Sequence, residues 1–375
     1  MSSTIHLQWS DAEAAGRFRT GVSLHSHTLH SRESLEFIYQ AARRAPLLKA
    51  AIRHGEGLYR QRHGATLDLS RGWWTPPLGA HDAWLLEKSQ IETFGRDAIV
   101  SLTDHDNIEA PVSLQALDEC RGAPISVEWT VPFGPTFFHL GVHNLPAERA
   151  RSLWAEMDSY RQKPIEGRLA EILTALAALD RVLMVFNHPL WDETGIGQAA
   201  HREIALAFLR RYGPSLQALE FNGLRPWKEN RSVLALARAA QKPVISGGDR
   251  HAIEPNAALN LTNAGTFEEF AEEVRSGWSS VLVMRHYREP FALRIFHNML
   301  DVLRTYERHA NGWRLWSDRV FYLWHDGKVR SLSELFGERT PSAVSVFVGA
   351  MQFASTPGVR RFLRGAFAAA EEVTL

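Results

Sequence analysis

Residues 21–31 read GVSLHSHTLHS. An apolar run leads straight into His25-Ser26-His27, and His30 follows three residues later. The run has the form of a buried strand, and in a strand residues i and i+2 share a face. The spacing therefore predicts that His25 and His27 present their imidazoles side by side. Two neutral imidazoles so placed can bind one metal ion. Two of the chain's 17 histidines at this spacing decide nothing alone. What decides is whether the rest of the chain supplies partners.

Outward from this stretch, the pattern repeats. Apolar runs at 98–102, 124–128, 137–142, 181–186, 216–221, 243–247 and 279–284 read as strands. Amphipathic stretches at 82–94, 164–179, 201–212, 230–240 and 266–276 read as helices. Pro164 and Asn230 stand near helix starts, and Thr266 with Glu269 forms a capping-box pattern. Strands alternating with helices predict βα units on a mainly parallel sheet. Seven or eight such units predict a closed or nearly closed barrel. Two regions break the rhythm. A long insertion covers about 33–80, with a basic helical piece and the loop RGWWTPPLG, and reads as a lid or recognition element. From 286 to 375 the chain reads as a C-terminal, mainly helical subdomain that includes the tail VRRFLRGAFAAAEE. Within it, VFYLWHDGKVRSL reads as a hairpin turning at Asp326-Gly327.

Composition narrows the function. The 42 Lys and Arg equal the 42 Asp and Glu, so no net field favours nucleic acid or an anionic membrane. Cys120 is the only cysteine, which excludes an intrachain disulfide and a thiolate zinc cluster. The N-terminus is polar and acidic, unlike a signal peptide, and no apolar run approaches the ~18 residues that span a bilayer. The expectation is a cytoplasmic protein without membrane contact.

The ends of the predicted strands carry the chemistry. SLTDHD supplies Asp104, His105 and Asp106; SVEWT supplies Glu128; FFHLGVH supplies His139 and His143. VFNHP supplies His188, ALEFNG supplies Glu220, and VISGGDRH supplies Asp249 and His251. In a βα barrel the C-terminal strand ends converge on one mouth. Each residue also has a plain structural use. Asp106 reads as the cap of NIEAPVSL, Glu220 as the holder of a loop backbone, and His30 and His143 as exposed loop histidines. Taken together, converging carboxylates repel, and cations relieve the repulsion. The N/O donor set suits Zn, Mn or Fe.

This ordered set resembles the PHP (polymerase and histidinol phosphatase) family of metal-dependent phosphoesterases over about residues 20–285. HSHT matches the family's H-x-H-T, and TDHD its T-D-H. Glu128 in VEW, His139 in HLG, His188 in NHP, and Asp249 with His251 as D-x-H follow in order. The resemblance implies a distorted (β/α)7-type barrel over residues 1–285 holding two or three divalent ions. The first ion would take His25, His27, Glu128 and Asp249. The second would share Glu128 and add His139 and His188, and the third would take His105 and His251. One position departs: Arg32 stands where the family has the Asp of H-x-H-T-x-x-S-D. Arginine is always protonated and binds no metal. Three arrangements are open. The third site is rebuilt with Asp104, Glu33 or a residue of the insertion; it is lost, leaving two ions; or Arg32 faces the mouth and itself neutralises phosphate. Arg32 turned outward onto a surface acid is the plain alternative.

The implied activity is hydrolysis of a phosphoric ester by a hydroxide held on the metals. A small-molecule phosphomonoester is the expected substrate. A phosphodiester or an oligonucleotide end is the alternative, kept open by the basic insertion but not favoured by the neutral charge. Asp249 is expected as ligand and proton acceptor, and Asp104 as a catalytic carboxylate that holds a histidine. Arg225 and Arg250 are candidate substrate clamps beside Arg32. A binding module without catalysis, and hydrolysis of a carbon–nitrogen bond, are the readings from other classes. The sequence leaves the oligomeric state open.

Overall fold

The computed structural model describes residues 2–44, 46–306, 309, 311–336, 349–350, 353–354, 356, 358–359, 361–362 and 373. Apolar, β-branched runs ended by Gly, Asn or a charged residue form the strands. In chain order these are β1 (Ser2–Leu7), β2 (Thr20–Leu24), β3 (Glu33–Ser34), β4 (Gly72–Trp74), β5 (Asp97–Ser101), β6 (Val127–Phe133) and β7 (Thr136–His143). They continue as β8 (Leu183–Asn187), β9 (Ala218–Asn222), β10 (Val244–Gly247), β11 (Ala258–Thr262), β12 (Trp278–Val283), β13 (Val320–Leu323) and β14 (Val329–Ser331). The helices are α1 (Phe37–Arg44), α2 (Pro46–His63), α3 (Ala80–Glu92), α4 (Glu109–Leu114), α5 (Ala150–Gln162) and α6 (Arg168–Ala177). After them come α7 (Gln198–Tyr212), α8 (Trp227–Ala239), α9 (Phe267–Arg275), α10 (Phe291–Val302) and α11 (Leu332–Phe336).

Three sheets result: β1-β12-β11-β2-β5, β10-β9-β8-β7-β6 and β14-β13-β4-β3. The expected mainly parallel sheet is mixed. β6, β7 and β8 run antiparallel, as does β11 against β2 and β12. The cause at β6–β7 is local: two residues join the strands, with Gly134 at φ 61, and so short a turn can only make an antiparallel hairpin. No ladder among the described residues closes the first two sheets into one barrel. They meet edge to edge through single parallel bridges, Ser26 to Arg250 and His105 to Glu128. Both bridges lie in the segments that carry the predicted site.

The space between these two sheets is apolar below the strand ends. Val22, Leu24, Val185, Ala218 and Ile245 from both sheets pack on Phe267, Phe270 and Val274 of α9. The outer face of the second sheet is covered by α5 to α8 through Trp129, Phe186, Phe208 and Phe221, all fully buried. At α9, Thr266 caps the helix by accepting from Glu269 N, but the Glu269 carboxylate reaches Gly265 N rather than Thr266 N, so the box is half formed. Asn230 does not start a helix. It lies inside α8, which begins at Trp227, and its side chain holds the backbone of Asn222 in both directions.

The insertion is not a free-standing excursion. Its strands β3 and β4 pair with β13, and β13 pairs with β14, so insertion and C-terminal segment share one sheet. The β13–β14 hairpin turns at Asp326-Gly327 as expected, with Gly327 at φ 78. Among the described residues of 286–375, α10 and α11 and the strands β13 and β14 are joined by short 3-10 turns, and residues 349–350, 353–354, 358–359 and 361–362 are helical; the predicted tail VRRFLRGAFAAAEE falls largely outside the described residues. No helix among the described residues is long and apolar enough to cross a membrane.

Candidate metal centre

Behind the strand ends lies a buried polar bolt. Glu87 of α3 accepts from Ser23 Oγ at 2.7 Å and Ser26 Oγ at 2.6 Å. It also accepts from Asn256 and faces Arg250 Nη1 at 3.4 Å. Ser26 alternates with His25 and His27, and Arg250 with Asp249 and His251. One carboxylate thus fastens both histidine-bearing segments from the rear. Arg250 spends its other donors on the carbonyls of Ala252 and Ile253. It points away from the mouth, so the substrate-clamp expectation for Arg250 is corrected.

The strands end one residue too early for a simple strand argument. β2 stops at Leu24, and His25 then takes φ 65; His188 takes φ 25 and Asp249 φ 53. These left-handed backbones are uncommon for residues with side chains and cost of order 1 kcal/mol or more each. Cross-sheet hydrogen bonds over-determine them: Gly248 N to Leu24 O at 2.9 Å and His27 N to Arg250 O at 2.8 Å. The bends aim the side chains inward. His25 and His27 do meet, with ring centroids 5.1 Å apart, but through this bend rather than through a shared strand face.

The eight predicted ligands come together, with Glu128 at the centre of the other seven. Its Oε2 stands 2.9 Å from His25 Nε2, 3.4 Å from His27 Nε2 and 3.2 Å from His105 Nδ1. Its Oε1 stands 3.1 Å from His188 Nε2 and 3.7 Å from His139 Nδ1. Asp249 Oδ1 faces His25 Nε2 at 3.7 Å, His27 Nε2 at 3.6 Å and His251 Nδ1 at 3.6 Å. Donor atoms about 2.0–2.2 Å from one tetrahedral ion stand roughly 3.4 Å apart. The observed separations fit that geometry. The buried His27 Nε2, facing Glu128 and Asp249, makes no hydrogen bond of normal geometry, which is where an ion would sit. Groups of donors able to hold an ion include His25, His27 and Glu128; His105, Glu128 and His139; and His27, Glu33, His105 and His251. The residues present therefore fit a divalent metal cluster.

Electrostatics agree. Burial disfavours charge on His25, yet Glu128, Glu220 and Asp249 outweigh it and hold its pKa well above the usual value. Burial likewise opposes charge on Glu128, while His25, His105 and His139 hold it well below the usual carboxylate range. Protons on His25 and His105 thus stand in for cations, while burial pushes His27 down to about 4 and His139 well below the usual value. Glu220 positions the ligands: Oε1 contacts His25 Nδ1 at 2.5 Å, and Oε2 accepts from His188 N at 2.7 Å. A Cβ on Gly247 would lie 1.7 Å from Glu220 Oε1, so only glycine lets Glu220 reach across.

Other expectations are corrected. Asp104 is fully buried, but both oxygens are taken by Thr28, from N at 2.5 Å and Oγ1 at 2.8 Å. It holds the HSHT turn, not a histidine, and it is not at the mouth. Asp106 caps no helix; its Oδ1 accepts from Thr130 N. Arg32 is exposed and lies over Trp73, 5.1 Å from the ring centroid, so it faces neither the cluster nor a surface acid. Arg225 is at the site: Nη2 is 3.1 Å from Asp249 Oδ2, and the guanidinium lies 4.3 Å over Trp191. Sequence reasoning overlooked Asn187, which donates to Glu128 Oε1, and Asn222, which donates to Glu220 and Asp249. Both are polar residues closing an apolar run, the same signal that marked the histidines. It also overlooked Glu193, 3.8 Å from His139 Nδ1 at the open side.

His143 is not an exposed loop residue. It is 1 % exposed and pairs with Ser101 Oγ at 2.8 Å. Burial, with the His25 charge beside it, pushes its pKa down to about 3. An unfolded histidine takes a proton below about 6.5. Between these values the unfolded chain binds more protons, so stability falls as pH falls, by about 1.4 kcal/mol per unit from this group. Urea unfolding of metal-free protein at pH 6.5 and 4.5 is expected to show a shallower loss in His143→Asn than in the unsubstituted chain. Equal slopes would remove His143 as a source of acid sensitivity.

Compared with protein-family models and with curated proteins, the chain matches none. Solved structures with a similar chain include a candidate metal-dependent phosphoesterase from Bifidobacterium adolescentis, at 14% identity and TM-score 0.36, covering 68% of this chain and 95% of that one. They also include an amidohydrolase from Chromobacterium violaceum with bound sulfate and no metal, at 14% identity and TM-score 0.36, covering 54% of this chain and 93% of that one. These likenesses are too distant to place the chain in a family or to give it an activity.

Proposed function

We propose that the protein is a metal-dependent hydrolase of phosphoric esters of the PHP type, acting on a small-molecule phosphomonoester. The observation that carries this reading is the convergence of His25, His27, His105, His139, His188, Asp249 and His251 around Glu128. The circuit β2-β5-β6-β7-β8-β9-β10, joined by the two bridges, supports a distorted seven-strand barrel with these residues at its mouth. Two or three ions of Mn, Zn or Fe would supply Lewis acidity and lower the pKa of a bound water.

The chain's own groups do the rest. Glu128 offers one oxygen to each side of the cluster and would bridge two ions. Asp249 Oδ1 faces the histidines, while Oδ2 pairs with Arg225 and accepts from Asn222, so Oδ2 can take a proton only as Arg225 turns away. Arg225, 11% exposed, is placed to turn from Asp249 to a phosphate oxygen, with Trp191 holding its guanidinium plane. Access comes from the side of His105, His251 and Glu193, whose side chains are 15%, 14% and 41% exposed.

The test is chelation, reloading with Mn, Zn or Fe, and assay on 4-nitrophenyl phosphate, its bis-ester and a 4-nitroanilide. Turnover of the monoester should rise about a thousandfold or more on loading. Preference for the bis-ester would move the reading to a diesterase. Cleavage of the anilide alone, or no cleavage by a fully loaded protein, would overturn it.

A further inference from the structure

The geometry points to Glu33 as the ligand that replaces the missing aspartate, and to a cation site that ties the insertion sheet to the catalytic mouth. This rests on the metal-centre reading above. Glu33 Oε2 stands 3.4 Å from His105 Nε2, and Oε1 stands 3.4 Å from His251 Nε2 and 3.7 Å from His27 Nδ1. With those histidines it forms a four-residue donor group beside those around Glu128, with which it shares His27 and His105. Ser31 Oγ donates to Glu33 Oε1 at 2.7 Å and so fixes the carboxylate's direction. The chain reaches this point by a shift of one residue. Arg32, at the aspartate's place, swings out to Trp73, and the next residue swings in.

The shift has a structural consequence. Glu33 opens β3, which is not one of the barrel strands but the edge of the sheet β14-β13-β4-β3. Its cross-strand partner in β4 is Trp74, and Trp74 in turn pairs with Val320 of β13. Trp74 also lies against His251, with ring centroids 5.6 Å apart. One row of the sheet therefore reads Glu33, Trp74, Val320, with the first two on the His251 side of the mouth. An ion held by Glu33, His105 and His251 links three segments: the insertion, the TDHD turn and the DRH turn. Of these only Glu33 belongs to the outer sheet. Such an ion would add a link from the insertion and the C-terminal hairpin to the mouth, beside the Trp74–His251 ring contact.

Two readouts independent of turnover test this: ions per chain by elemental analysis, and amide hydrogen exchange of 72–74 and 320–323 with and without metal. In the unsubstituted protein, loading should slow exchange there about tenfold or more. Glu33→Gln, nearly isosteric, should lose one ion, keep those around Glu128, and lose the metal-dependent protection. Loss of no ion or of every ion, or unchanged protection, would overturn the inference. If Glu33→Gln does not fold, Glu33→Asp decides. Its shorter carboxylate should bind the last ion about tenfold more weakly, and unchanged affinity would overturn the inference. Failure of the unsubstituted chain to take up any ion would instead bring down the metal-centre reading and this inference with it.

Discussion

Glu128→Gln is expected to strip the protein of at least two ions and to cut phosphoester turnover about a thousandfold or more, the scale of losing several kcal/mol of charge stabilisation. No other residue is shared so widely. Its two oxygens face five histidines, one from β7 and four from the turns after β2, β5 and β8, and it is completely buried. Glutamine keeps the shape but offers one oxygen and one amide, so it cannot bridge two cations. Its NH2 would also turn a donor toward nitrogens that need an acceptor. The fold should survive, because the β6–β7 ladder and the His105–Glu128 backbone bridge hold this end of the strand without the Glu128 side chain. Metal content and kcat should fall together while the far-UV spectrum is unchanged. An unaltered ion count in the variant would show that Glu128 holds none of the ions.

Much of this site was legible in the sequence because its chemistry is written at strand ends. An apolar run that stops on His, Glu or Asp marks a strand and a candidate ligand beside it. His25, His27, His105, Glu128, His139, His188, Asp249 and His251 come together, although Glu128 falls second in β6 and His139 inside β7 rather than at a strand end. The parts that were not legible depend on backbone geometry or on distant pairing. The positive φ angles of His25, His188 and Asp249 leave no residue signature, since these are not glycines. β11 lies between β2 and β12 through its backbone ladders, and the Asn260 amide adds bonds to the carbonyls of Val22 and Ser246, partners far outside any local window. The third sheet joins residues about 250 positions apart, Trp74 with Val320, so the insertion and the C-terminal segment could only be read as separate pieces. Arg32 misled for the same reason. Its neighbour Glu33 does the facing, and only the β3–β4 pairing decides which of two adjacent side chains turns inward.

Asp249→Asn is expected to lower kcat about a hundred- to ten-thousandfold, the range for loss of a positioned proton acceptor, with the loss of one ion at most. Burial opposes its charge, but Arg225 and His25 hold the Asp249 carboxyl well below the usual range. It therefore stays ionised throughout the neutral region and does not itself draw the acidic limb of a pH profile. That limb comes from protons competing with metal for the histidines. Glu33 and Glu128 hold His105 well above the usual value against burial, and Glu128, Glu220 and Asp249 do the same for His25. Ligand binding requires these protons to leave, so activity at limiting metal should rise with pH through the region above 6.5 and shift to lower pH as metal is added. Asparagine at 249 removes one of the anions that raise His25. Its proton then leaves more readily, and the acidic limb of the residual activity should move to lower pH, opposite to the shift expected if Asp249 itself were the titrating base. A profile that keeps its position while kcat falls would leave Asp249 as a positioning residue for Arg225. A kcat within threefold of the unsubstituted enzyme would remove it from the mechanism altogether.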